Sequence, residues 1–209
     1  TMISSSGSKA VDTIGKPTLN AADGPGQLSR GTFWCCAVNI GSTWDLELAE
    51  KQGTAIGNES LFMGITGGWG PGVNIHRSAF GGRNFEYYSQ DSVHEGLMVA
   101  KIVSGYQSKG GIAYLKHFAI DDMENVRYGC GTFVDEQTIR ENYLKAFEYG
   151  VKDGGAGAMM ASHNRIGCIQ DYGNYALTTA IAAKEWGFNG YLQTDMYVGY
   201  SRSYSVIRS

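Results

Sequence analysis

Residues 135–162 read DEQTIRENYLKAFEYGVKDGGAGAMMAS. Two periodicities meet in this stretch. Ile139, Tyr143, Phe147 and Val151 recur every four residues, which sets them on one face of a helix over 135–152. Gly154-Gly155 then stops the helix, because glycine accepts the left-handed backbone that closes a helix C-terminus. The apolar run 157–162 follows and has the length and boundaries of a buried strand.

Working outward, the same alternation repeats. Strand-like runs fall at 17–21, 35–39, 72–75, 112–116 and 190–194. Helical patterns lie between them. Residues 42–57 open with Ser42 and Asp45, a pair that can cap exposed amides. Residues 91–107 carry Val93, Leu97, Ala100 and Val103 at near-helical spacing. Residues 174–186 precede Gly187, a natural stop. Strand and helix in alternation predict an α/β fold with a parallel sheet. No G-x-G-x-x-G or G-x-x-x-x-G-K-[ST] follows any strand, so a nucleotide-binding sheet has no support. The choice lies between a doubly wound sheet and a closed barrel, and since about six strand–helix units are visible against the eight, in ~250 residues, of a full barrel, the chain reads as either an incomplete barrel or a fragment.

The bulk properties agree with one domain. The chain has 209 residues, 43% of them hydrophobic, enough for a sizeable core. The formal net charge is −3 and the Lys and Arg residues are scattered, so no nucleic-acid partner is expected. No apolar run approaches the ~18 residues of a membrane span. The opening TMISSSGSKA is polar and lacks the apolar centre of a signal peptide. Cys35, Cys36, Cys130 and Cys168 have neither disulfide-framework nor zinc spacing. Cys35-Cys36 sits in an apolar run and reads as a pair of reduced core thiols, which favours a reducing, cytoplasmic compartment. His76 and His94 lack partners at metal spacing and read as structural, and no cofactor is called for.

In parallel α/β folds chemistry sits where strands end. The strand ends here supply Asp23, Arg83, Lys116-His117, His163 and Thr194-Asp195. Two carboxylates, Asp23 and Asp195, would face Arg83, Lys116, His117 and Arg127. Such a set grips a neutral polyol, with carboxylates accepting from hydroxyls and cations donating to them. Neighbouring cations also favour the ionised form that a nucleophilic carboxylate needs. Each residue taken singly has a plainer reading. Asp195 serves equally as the cap of the next helix, Asp23 as a turn residue and Arg127 as a solvated charge. Lys116 and His117 are adjacent, so a regular strand would send them to opposite faces. Only a bend brings both into one pocket.

In order along the chain, Asp23-Gly24-Pro25, the block from Gly70 to Arg77, Gly82-Arg83-Asn84-Phe85-Glu86, Lys116-His117-Phe118-Ala119, Glu124, Arg127, Asn164-Arg165 and Thr194-Asp195 resemble glycoside hydrolase family 3. The resemblance spans roughly residues 17–197, with 1–16 as a polar lead-in and 198–209 as a tail. It implies an α/β fold of the (β/α)8 TIM-barrel type, incomplete at about six units, and a retaining, exo-acting β-glucosidase-like glycosidase that hydrolyses terminal β-linked glucose by double displacement. By position, Asp195 resembles the nucleophile. Asp23, Arg83, Lys116, His117, Arg127 and Met160 resemble the wall that holds the sugar, with His163 and Met196 beside it. Four residues depart from the family pattern. Gln90 stands where a glutamate is usual, His163 replaces an aromatic residue, Met196 a tryptophan, and Asp121 an asparagine.

The family's acid/base comes from another domain in the β-glucosidase branch, and from a P-G-H-G loop in the N-acetylglucosaminidase branch. Ile120-Asp121-Asp122 stands in place of that loop. The expected partners are therefore a β-glucoside or oligosaccharide and a second domain or chain that supplies the acid. Two alternatives stay open: a sugar-binding barrel without turnover, and an inactive fragment of a larger hydrolase.

Overall fold

The structure, a computed structural model, describes residues 3–4, 7–24, 26–28 and 30–196. Pro25 and the tail expected over 198–209 lie outside the described residues.

A sheet of parallel strands curls into an incomplete barrel with helices on its outer side. Its parallel members are β3 (Leu19–Asp23), β4 (Gly67–Trp69), β5 (Ile112–Phe118), β7 (Ala158–Ala161) and β10 (Tyr191–Thr194), side by side in that order. The short strands β1 (Ile3–Ser4) and β2 (Gly7–Ser8) extend the β3 edge in antiparallel fashion. A separate small sheet, β6 (Gly131–Thr132), β8 (Arg165–Ile166) and β9 (Ile169–Gln170), joins loops that follow β5 and β7.

The helices form where their caps and faces dictate. After α1 (Ala37–Gly41), α2 (Leu46–Phe62) starts at Asp45, whose carboxylate accepts from Leu48 N at 3.0 Å. Ser42, expected to help open this helix, instead donates to the Val38 carbonyl at the end of α1. In α3 (Ser92–Gln107) Asp91 accepts from Val93 N and His94 N. The helix expected over 135–152 is capped by Asp135 and runs as α4 (Glu136–Thr138), a wider i→i+5 turn over Ile139–Tyr143, and α5 (Lys145–Lys152). Ile139, Phe147 and Val151 are buried as their spacing requires, and Gly155 turns left-handed at φ 67°. Residues Ala176–Glu185 wind in the same wide fashion, and Gly187, at φ 75°, follows them.

Several expectations are corrected. Residues 35–39 are not a strand, since Ala37, Ile40 and Gly41 bury one side of the short helix α1. The cysteines are consequently not core thiols. Cys35, Cys130 and Cys168 are exposed and Cys36 half-buried, all unpaired as disulfides. In α3 the expected face holds in part. Ala100 and Val103 are buried, whereas Val93 and Leu97 are exposed, and the buried face extends instead to Met98, Val99, Ile102 and Tyr106, because α3 lies between α2 and α5 and packs on both. The strand expected at 72–75 is displaced to Gly67–Trp69. There glycine serves close approach rather than strand propensity: a Cβ on Gly67 would lie 2.8 Å from the Tyr114 ring, and one on Gly68 3.0 Å from the Tyr106 hydroxyl. Residues 72–75 run on as buried extended chain, with Val73 N donating to the Lys116 carbonyl.

Strand alternation sorts the side chains into two cores. Ala113, Leu115 and Met159 face the helices, whereas Trp69, Tyr114, Ala158 and Met160 face the barrel interior with Ala21 packed on them. By the same two-residue period Asp23, Lys116 and Asp195 end their strands on the interior side.

Candidate active site

The interior side at the strand ends holds the expected residues together. Lys116, 3% exposed, extends its Nζ to within 2.9 Å of Asp23 Oδ1 and 3.5 Å of Glu86 Oε2. Two carboxylates thus balance the buried ammonium. Glu86 is itself gripped by Arg83 in a fork, Nε to Oε1 at 2.8 Å and Nη2 to Oε2 at 2.9 Å. The Asp23 side chain is 71% exposed and faces solvent from its ion pair. A cavity of about 330 Å³ opens there, lined by Asp23, Gln27, Phe33, Trp34, Phe85 and Glu86.

His117 joins Lys116 in the pocket because β5 is irregular at that point. Lys116 pairs with Met160 and Phe118 with Ala161, so His117 is an extra residue bulged out of the register. The Lys116–His117 and Phe118–Ala119 peptides are cis. Asn74 braces the bulge from both sides, accepting from His117 N at 2.8 Å and donating to the His117 carbonyl at 3.0 Å. Phe118 resumes the outward direction and packs its ring edge against Phe147 and Trp186.

Asp195 follows β10, its amide bonded to the Ala161 carbonyl. Its Oδ1 accepts from Met196 N at 2.6 Å. Its Oδ2 lies 3.3 Å from His163 Nε2 and 3.9 Å from His117 Nε2. Met160, next to last in β7, lies beside Lys116 and is 3% exposed, and Met196 packs on the interior cluster that contains it. Arg127, read singly as a solvated charge, is instead drawn inward, 3.1 Å from Glu124 and 3.6 Å from Asp121.

Three residues beyond the expected site set support the pocket. Tyr128 leans on His163 with ring centroids 4.5 Å apart and carries the Arg127 guanidinium on its face. Asp121, 1% exposed, places Oδ2 3.2 Å from His117 Nδ1. Burial, and then repulsion from Glu124, pushes its carboxyl up to about 7. Burial, followed by the positive fields of Arg83, Lys116 and Arg127, drives His117 well below the usual imidazole range, so its ring is neutral. The third, Asp171, is fully buried and ties two strand ends together. It accepts from Ala119 N at 3.2 Å and from the Ser162 hydroxyl at 2.6 Å. The sequence marked Asp121 only as a departure from the family's asparagine and did not mark Asp171, since the burial of both is made by segments remote in the chain. His76 and His94 hold backbone carbonyls, His76 at Asn84 and Tyr87 and His94 at Gly41.

Burial raises the Asp171 carboxyl to about 7, against 3.8 when unfolded. Between those values the folded state binds more protons than the unfolded one, so stability falls as pH rises from about 4 to about 7 and then levels off. Asp171→Asn keeps the acceptor for Ser162 and removes the ionisation. Urea titrations at several pH values should show a wild-type slope on the order of a few kcal/mol across this window, reduced in the variant. Equal slopes would show that Asp171 ionises in the fold at no cost.

Residues 12–205 match the model of the Glycosyl hydrolase family 3 N terminal domain. A β-glucosidase of Rhizobium radiobacter is 36% identical over 206 residues, covering 94% of this chain and 25% of that protein. The crystal structure of the Bifidobacterium adolescentis GH3 β-glucosidase superposes with a TM-score of 0.87 at 35% identity, over 90% of this chain and 29% of that one. β-Glucosidase 3B of Thermotoga neapolitana, solved in complex with glucose, gives 0.84 at 34% identity over 90% of this chain and 28% of its own. The chain spans about a quarter of the length of the curated relatives it matches.

Proposed function

The chain belongs to glycosyl hydrolase family 3, and from that premise we propose that it forms the sugar-binding barrel part of a retaining β-glucosidase in which Asp195 is the nucleophile. Residues 17–197 are taken as the barrel domain. The observation that carries the reading is the position of Asp195. Its carboxylate stands inside the barrel end beside two imidazoles, close to a set of alternating cations and carboxylates suited to hydroxyl groups.

In the proposed reaction a terminal β-glucoside enters with its hydroxyls among Asp23, Lys116, Arg83, His117 and Arg127. Met160 and Met196 supply apolar walls, and His163 holds Asp195. Asp195 attacks the anomeric carbon as the glycosidic bond breaks, giving a glycosyl ester, and the departing oxygen takes a proton from a general acid. Water then cleaves the ester with net retention. Among the described residues, the carboxylates nearest the pocket are paired or sealed off. Asp23 pairs with Lys116, Glu86 with Arg83 and Glu124 with Arg127, and the Asp121 side chain, at 0% exposure, lies out of reach of a substrate. The general acid is therefore assigned to a second domain or chain, as the short coverage of the relatives also suggests.

A 2-fluoro-glucoside with an activated leaving group tests this, because such a substrate departs without protonation. The expected result is a stable adduct that peptide mapping places on Asp195, with negligible cellobiose turnover by the chain alone. Glucose binding without an adduct would replace the proposal by a non-catalytic sugar-binding barrel. Neither binding nor adduct would mark an inactive fragment. Robust cellobiose hydrolysis would place the acid within the chain.

A further inference from the structure

Asp121 is a buried carboxylate with no place in the reaction just described. Its side chain has 0% exposure, and neither of its oxygens completes a well-formed hydrogen bond among the described residues. A side chain so deeply buried and so incompletely satisfied ordinarily weakens a fold. The groups that face it are few. His117 Nδ1 lies at 3.2 Å, Arg127 Nη1 at 3.6 Å and Arg83 Nη1 at 3.8 Å. Glu124 shares both arginines, at 3.7 Å from Arg83 and 3.1 Å from Arg127. Tyr87 donates its hydroxyl to the Asp121 carbonyl. Asp195 stands on the far side of the His117 ring, opposite its Nε2.

The ring of His117 therefore stands between two carboxylates, with Nδ1 3.2 Å from Asp121 and 3.5 Å from the Tyr87 hydroxyl, and Nε2 3.9 Å from Asp195. A neutral imidazole carries one N–H, and the group that holds one nitrogen decides what the other presents. We infer that Asp121 is a positioning residue that sets the tautomer of His117, and through it whether the pocket meets an N–H donor or a bare acceptor next to Asp195. When Asp121 is protonated it donates to Nδ1, and the ring hydrogen sits on Nε2, directed at the Asp195 carboxylate and any hydroxyl bound there. When Asp121 is ionised it accepts from Nδ1–H, and Nε2 turns a lone pair toward Asp195. The proton moves only between the Asp121 oxygen, the ring nitrogens and solvent, so no other reactant is required. The two arginines beside Asp121 keep the ionised form accessible, whereas burial and Glu124 oppose it, so both forms are reached near neutrality.

The consequence for the reaction rests on the reading of Asp195 as nucleophile, but the tautomer itself does not. Nitrogen NMR separates a protonated ring nitrogen from a bare one, and with four histidines in the chain His117 can be assigned by single substitution. In the wild-type chain, titrated from about pH 5 to about pH 9, His117 should pass from the Nε2–H to the Nδ1–H form. Asp121→Asn removes the ionisation, and because its amide holds Nδ1 in one way, as donor or as acceptor, at every pH, its His117 should keep a single tautomer throughout. A wild-type ring that keeps one tautomer over this range overturns the inference, and so does a variant that titrates like wild type. Should the variant not fold, the wild-type titration decides alone. The same pH series of 2-fluoro-glucoside labelling separates the two proposals. Labelling whose rate follows the tautomer in the wild type, and loses that dependence in the variant, supports the inference. A tautomer that shifts with no adduct at any pH leaves the inference standing and removes the nucleophile.

Discussion

Replacing Asp195 by asparagine should slow formation of the glycosyl adduct by about 10⁴-fold or more, the scale on which losing a covalent nucleophile is felt. The measurement is the labelling or burst rate with an aryl glucoside whose leaving group needs no protonation, so that the external acid does not enter. Asparagine is nearly isosteric. Its side-chain oxygen can still accept from Met196 N, as the carboxylate does at 2.6 Å, and the urea midpoint should barely move. That contrast separates a chemical role from the plainer role of Asp195 as a turn or capping residue, for which stability rather than rate would suffer. Asp195→Gly extends the test. Azide placed in the vacated space attacks the face that Asp195 used and should yield the α-glucosyl azide. A variant that labels within tenfold of wild type would require another nucleophile.

Phe118→Ala should destabilise the chain by about 3–5 kcal/mol. The ring is fully buried, with centroids 5.1 Å from Phe147 and 5.9 Å from Trp186, so it joins the end of β5 to the helix layer. Domains of this kind are stable by only about 5–15 kcal/mol, so the variant would be near its threshold at room temperature. Urea unfolding checks the value. Phe118→Leu, which keeps most of the volume, should lose markedly less. Phe118 directly follows His117, and its anchoring is what allows the bulge to turn His117 inward without loosening the strand. Where Phe118→Ala remains folded, glucose binding should weaken along with stability. Binding at wild-type strength would show that Asn74 alone holds the bulge.

Much of this architecture is written in local pattern. The four-residue spacing of Ile139, Phe147 and Val151 and the cap at Asp135 specify a helix with information carried entirely within it. The two-residue period specifies the strand faces in the same way, and it sends Asp23, Lys116 and Asp195 to one side of the sheet. Local reading fails where a distant partner decides. Residues 35–39 are apolar enough for a strand, yet from Ala37 onward they are helix, because one side of α1 is buried against the core. Gly67–Trp69 is a poor strand by propensity and is one in fact, because the Tyr106 and Tyr114 rings need backbone without side chains.

The candidate site divides along the same line. By itself the sequence determined which charged residues stand at strand ends and, for the regular strands, which way they point, because a strand's alternation is a property of its own covalent geometry. Tertiary structure alone decided that His117 turns in beside Lys116, since the bulge exists through its register with β7 and the brace of Asn74. It alone drew Arg127 out of solvent and buried Asp121 against His117. Burial and the fields of neighbouring charges are made by segments brought together from far along the chain, and no local pattern encodes them.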